Sequence, residues 1–147
     1  MVEQSLTAIH VLVVDNDGPI RNLLTEALSL HGAKVTAVET AQEALDSLEV
    51  LRPDVLVSDL EMPDKDGLWL ISRVRALTPE RGGMTPAACL TGFNEPEIRA
   101  TLLKAGFQYH IAKPVKLETL IGVVGLLALS PRTTSAASAG SREAGRW

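Results

Sequence analysis

Four short stretches hold the residues that can do chemistry: Asp15-Asn16-Asp17, Asp59 with Glu61 two residues on, Thr91-Gly92, and Lys113-Pro114. Carboxylates gathered near one another repel, so a cluster of them favours a divalent cation with oxygen ligands, Mg²⁺ (or Mn²⁺) first among them. Such an ion keeps several waters and takes one or two carboxylates together with phosphate oxygens. Lys113 supplies a second positive charge and Thr91 a hydroxyl donor. The combination suits transfer of a phosphoryl group to a carboxylate, a reaction that depends mainly on positioning and charge neutralisation. A lone Asp in a polar loop means little. Four complementary groups carry weight only if one framework brings them together.

The apolar pattern supplies that framework. Short continuous runs rich in β-branched residues at 9–14, 35–38 and 55–58, with weaker ones at 87–90 and 107–112, suit strands buried on both faces. Between them the apolar residues fall at helical spacing. Ile20, Leu23, Leu24, Ala27 and Leu28 are stopped by Gly32; Ala41, Ala44, Leu45 and Leu48 follow the N-cap candidate Thr40. Leu70, Ile71, Val74 and Leu77 end at Thr78-Pro79, while Ile98, Leu102 and Ala105 are closed by Gly106. Leu117, Leu120, Ile121, Val124 and Leu127 form the fifth stripe. Five strand–helix alternations predict an α/β fold, a doubly wound parallel sheet with helices on both faces and right-handed crossovers. Ligands of such folds bind at the carboxyl ends of the strands, and each chemical stretch follows one of the runs.

The 147 residues fit one domain. With 46% apolar and 22% charged residues the chain reads as neither disordered nor membrane-embedded, and 3% aromatic content calls for an aliphatic core. A formal charge of −4 disfavours nucleic acid as a partner. The single cysteine, Cys89, excludes an internal disulfide and reads as a buried apolar filler. Without a basic-then-apolar leader, a cytoplasmic location is expected. From Ser130 the chain reads SPRTTSAASAGSREAGRW, with three Arg and one Glu, so this +2 segment leaves −6 for residues 1–129. The expected organisation is a domain over 1–129 and a flexible tail or linker over 130–147. The run LIGVVGLLAL at 120–129 is apolar nearly all round yet too short to span a bilayer, and Val123 and Leu126 look surplus to one packed face.

VLVVDND at 11–17, SDLEMPDKDG at 58–67, LTG at 90–92 and AKP at 112–114 stand in an order and spacing that resemble the receiver domain of two-component response regulators, over residues 8–128. The resemblance implies a flavodoxin-like, CheY-like fold of five parallel strands in the order 2-1-3-4-5 with five helices. It implies that Asp59 accepts a phosphoryl group from a phosphohistidine on a sensor histidine kinase or a histidine phosphotransfer protein. Asp15, Asn16, Asp59 and the backbone carbonyl of Glu61 would hold Mg²⁺, Thr91 would hydrogen-bond a phosphoryl oxygen, and Lys113 would pair with the phosphoryl charge. Gly92 leaves room for that group, and Pro114 falls where the family commonly has a cis bond. Phe93 and Glu61 stand at positions that modulate phosphate lifetime. The face made by the fourth helix, fifth strand and fifth helix would meet a downstream protein or a second copy.

Two positions depart from that pattern. Asn16 stands where receivers carry a second acid, which predicts weaker metal affinity, with Asp17 as a possible compensating acid. His110 stands where many receivers have a switching Tyr or Phe, so its role is left between a pH-sensitive switch and a plain ring. Asp15-x-Asp17-Gly18 also resembles the first motif of haloacid-dehalogenase-type phosphatases, with Asp15 as nucleophile and Asp17 as general acid. No acidic pair follows Lys113 to hold that family's metal. A third reading is a receiver-like interaction module that takes no phosphate. The expectation is a phosphorylation switch and not an enzyme acting on a separate metabolite.

Overall fold

The computed structural model describes residues 5–130. The β-branched runs form five strands, β1 (His10–Val14), β2 (Lys34–Val38), β3 (Val55–Asp59), β4 (Ala87–Thr91) and β5 (Tyr109–Ala112). They alternate with the helices α1 (Gly18–Leu30), α2 (Ala41–Leu51), α3 (Gly67–Arg75), α4 (Pro96–Ala105) and α5 (Leu117–Ala128). All strand pairs are parallel, as the alternation predicts, and the order is β2-β1-β3-β4-β5, as the resemblance implies.

Alternation along each strand splits the core in two. Val11, Val13, Val55, Val57, Ala88 and Leu90 meet Leu24 and Leu28 of α1 and Leu120, Val124 and Leu127 of α5. Leu12, Val14, Leu56, Ala87 and Cys89 point the other way, into a cluster with residues of α2, α3 and α4 that also buries Phe107. Each buried Val, Leu or Ile contributes roughly 1.5–3 kcal/mol, so the two clusters fix which helices flank which face. Cys89 is the expected filler, its thiol pKa pushed up by burial.

Local chemistry sets where the helices begin. Asp17 caps α1 by accepting the Ile20 N–H at 3.2 Å, and Asp66 caps α3 by accepting that of Trp69 at 2.9 Å. Thr40 and Glu43 form a reciprocal capping box at α2. At the other end of α1, His31 donates from Nδ1 to the Ala27 carbonyl at 3.0 Å. His10 opens β1 with Nε2 2.8 Å from Thr36 Oγ1.

Three sequence expectations need adjustment. Leu77 lies beyond α3, which ends at Arg75, and Pro79 holds Thr78 extended so that the helix does not resume; Leu77 still packs on the core. Phe107 and Gln108 precede β5 instead of belonging to it. Val123 is not surplus: it packs against the cluster on the α1–α5 face, whereas Leu126 is 55% exposed. Of the expected tail, only Ser130 falls among the described residues, and 131–147 lie outside them.

Candidate functional site

Parallel strands in register carry their last residues to one edge of the sheet. β1 delivers Asp15 there, β3 ends on Asp59, β4 ends on Thr91, and Lys113 follows β5. Lys113 N–H still donates to the Thr91 carbonyl at 2.9 Å, so the ladder holds the lysine backbone beside β4. The Lys113–Pro114 bond is cis.

At this edge Lys113 Nζ lies 2.7 Å from Asp59 Oδ1. Asp59 and Asp15 are buried, at 4% and 0% exposure, and Thr91 is buried beside them in sequence register. Burial opposes the charge on Lys113, but the hydrogen bond and charge of Asp59, with Asp15 and Glu61, outweigh it and raise the lysine pKa. Burial likewise pushes the Asp15 carboxyl above its ordinary range; the Asp17 amide opposes this and the Asp59 charge adds to it. Asp15 Oδ1 accepts the Asp17 N–H at 2.9 Å, while Oδ2 is buried without any hydrogen-bond partner.

A buried carboxylate oxygen with no donor is costly unless a cation answers it. That oxygen, next to the charged Asp59, therefore fits a hard divalent ion with oxygen ligands. The donor set is lean. Asn16 and Glu61 are exposed neighbours in sequence of Asp15 and Asp59, and among the described residues no three His, Cys, Asp or Glu side chains form a cluster. Asp17, the other acid of this loop, accepts the Ile20 N–H through Oδ1 as the cap of α1.

Around this centre, Thr91 Oγ1 accepts the Phe93 N–H at 2.9 Å, and the Phe93 ring is 42% exposed. A Cβ at Gly92 would meet nothing within 4 Å. His110 is half-buried on β5 with Nε2 3.5 Å from Asn94 Oδ1, and burial together with the Arg99 charge lowers its pKa. A groove of about 290 Å³ runs between α4 and β5, bounded by Pro96, Arg99, Ala100 and Leu103 on one side and His110 on the other.

The structure adds two supports, Arg21, which sequence reasoning overlooked, and the close approach of Gly67, which the sequence marks only as part of the loop after Asp59 and the start of the third helix. Arg21 donates from Nη1 to the Asp15 carbonyl at 2.8 Å, a role foreshadowed by a cation in the first turn after an acidic loop. Gly67 packs so closely that a Cβ there would lie 2.7 Å from the Asp59 carbonyl oxygen and 3.1 Å from Leu60 Cα. Only the backbone path reveals that approach.

A family model described as the response regulator receiver domain matches residues 11–125. An "Uncharacterized 14.6 kDa protein in sodA1 3'region" of Leptolyngbya boryana is 43% identical over 121 residues, covering 82% of this chain and 91% of that protein. Response regulator MprA of Mycolicibacterium vanbaalenii is 35% identical over 92% of this chain and 56% of its own length. The chain spans about half the length of such longer curated regulators. Among solved structures, the chemotaxis response regulator CheY4 of Vibrio cholerae matches with a TM-score of 0.76 at 29% identity, over 82% of this chain and 99% of that one. Motif order, sheet topology and matched relatives agree: the chain belongs to the receiver domain family of two-component response regulators.

Proposed function

We propose that this receiver takes a phosphoryl group onto Asp59 from a phosphohistidine of a sensor histidine kinase or histidine phosphotransfer protein. The observation that carries the reading is the pairing of a buried Asp59, tied to Lys113 at 2.7 Å, with the buried, unpartnered oxygen of Asp15 at the same sheet edge. An Asp59 carboxylate oxygen attacks phosphorus, the O–P bond forms, the N–P bond breaks, and the imidazole departs with its electron pair. Lys113 is placed to follow the charge from the carboxylate to the phosphoryl oxygens. Thr91 can donate its hydroxyl proton to a phosphoryl oxygen while still accepting from the Phe93 N–H. Asp15, Asp59, the Asn16 amide and the Glu61 carbonyl would hold Mg²⁺, which when bound neutralises carboxylate and phosphoryl oxygens. Glu61 and Phe93 flank the pocket and set access of water to the acyl phosphate. The protein then acts as a switch, read by a downstream protein or a second copy through the α4–β5–α5 face, where Leu103, Leu117 and Leu126 are exposed.

Acetyl phosphate with Mg²⁺, followed by intact mass measurement, tests this directly. The wild type gains one phosphoryl group and Asp59→Asn gains none. Label retained in Asp59→Asn but lost in Asp15→Asn would point instead to an Asp15-centred phosphatase, and no label under conditions that modify a control receiver would point to an interaction module.

A further inference from the structure

Asp15 is set by three hydrogen bonds, and only one of them is made by another residue's side chain. Its N–H donates to the Val38 carbonyl of β2 at 3.2 Å, which extends the ladder one residue past β1. Its Oδ1 accepts the Asp17 N–H at 2.9 Å, and its carbonyl accepts from Arg21 Nη1 at 2.8 Å. Arg21 is half-buried in the first turn of α1, where its own N–H donates to the Asp17 carbonyl at 2.9 Å. The side chain folds back over Gly18, where an added Cβ would lie 3.7 Å from Nη2. Among the described residues Arg21 makes no ion pair.

Two features of this contact need a reason. Oδ2 of Asp15 is buried without a donor, so any shift of the loop that turned it toward an N–H or a water would be favourable. Something must oppose that shift. A guanidinium beside a pocket suited to a divalent cation also works against the ion by its charge. What Arg21 contributes is a charge-assisted hydrogen bond, roughly twice as strong as a neutral one, to the main chain of the residue that must stay in place.

We propose that Arg21 is a positioning residue of the cation site: its hold on the Asp15 carbonyl keeps the unpartnered Oδ2 turned into the pocket before any ion arrives. Arg21 acts through the main chain of Asp15 and is not itself a ligand. The pocket is thereby built in its binding form at a cost to the empty state, and its affinity depends on a residue whose charge opposes the ion. The inference rests on the reading of this sheet edge as a Mg²⁺-dependent phosphoryl site.

Calorimetric titration of the full chain with Mg²⁺ tests it, because position and charge predict opposite signs. Arg21→Met keeps the stem and removes both the donors and the charge. It should weaken Mg²⁺ binding about ten- to hundredfold, the usual effect of losing a group that orients a metal ligand. Tighter binding would show that the guanidinium acts by charge alone, and unchanged binding would show a purely structural role; either overturns the proposal. Arg21→Gln, also uncharged, carries the same comparison if Arg21→Met does not fold. Action through Asp15 is read from melting temperatures in EDTA. Asp15→Asn should raise the melting temperature in the wild-type background and raise it much less in Arg21→Met, where Oδ2 has already turned to a donor. An equal change in both backgrounds overturns the proposal too. A wild type that binds no Mg²⁺ overturns the metal reading of the site itself, whereas a wild type that binds Mg²⁺ as tightly as Arg21→Met overturns only the positioning role.

Discussion

Because Asp15 is fully buried and one of its oxygens lacks a donor, its ionised form carries a desolvation penalty at neutral pH. Its folded pKa lies above the ordinary 3.8, so the folded chain binds more protons than the unfolded one in that window, and stability falls as pH rises through it. Removing the charge should recover part of that loss. Asp15→Asn is expected to melt about 4 °C higher than wild type in EDTA, and to lose the gain that Mg²⁺ gives the wild type, both by calorimetry. Asn16 works in the opposite sense by leaving the pocket one charge short. Asn16→Asp should bind Mg²⁺ about tenfold more tightly in a calorimetric titration, since a unit charge near 4 Å is worth about 1 kcal/mol or more to a cation; no gain would show that position 16 faces away from the ion. Asp15, Asp59, Thr91 and Lys113 were legible in the sequence as residues that one edge of the sheet would gather. The orphaned oxygen of Asp15 was not, because a hydrogen-bond deficit depends on what the fold places around an atom.

At the scale of elements, the strand and helix assignments followed from run length and periodicity, as did the cap Thr40, while the structure adds Asp17 and Asp66 as caps of the same kind, short polar side chains accepting backbone N–H groups. Loss of the Thr40 hydroxyl in Thr40→Ala should cost about 1 kcal/mol in urea unfolding, with phosphorylation unaffected, because α2 contributes nothing to the pocket. Gly67 behaves differently. A methyl group there presses on the Asp59 carbonyl, so Gly67→Ala should cost about 1–3 kcal/mol of stability and also slow phosphorylation by acetyl phosphate. What remained illegible were features set by two distant backbones approaching, such as Gly67 against β3, and the premature end of α3 that leaves Leu77 outside it. Periodicity counts apolar side chains and cannot see where the main chain turns away.

For the molecule as a whole, parallel strand register gathers the polar chemistry at one end and leaves the two aliphatic clusters to hold the rest. Stability then responds to pH through groups outside the pocket. Burial lowers the pKa of both His10 and His110, assisted by Lys34 and Arg99 respectively and opposed at His10 by Asp54. At these two histidines the unfolded chain binds more protons than the folded one below the ordinary 6.5, so their contribution to stability is complete above 6.5 and declines as pH falls toward the lowered values. Urea midpoints measured from pH 7.5 to 5.0 should show that decline, and His10→Gln should flatten it; a curve unchanged by the substitution would assign the slope elsewhere. The unanswered oxygen on Asp15 extends this linkage to ions. Any ligand that binds only the folded chain shifts the folding equilibrium by its occupancy, so divalent ion and phosphoryl donor should lengthen the protein's survival under a protease. Signalling state and lifetime would draw on the same binding energy, and a receiver in an ion-poor, unstimulated setting would be the one degraded first.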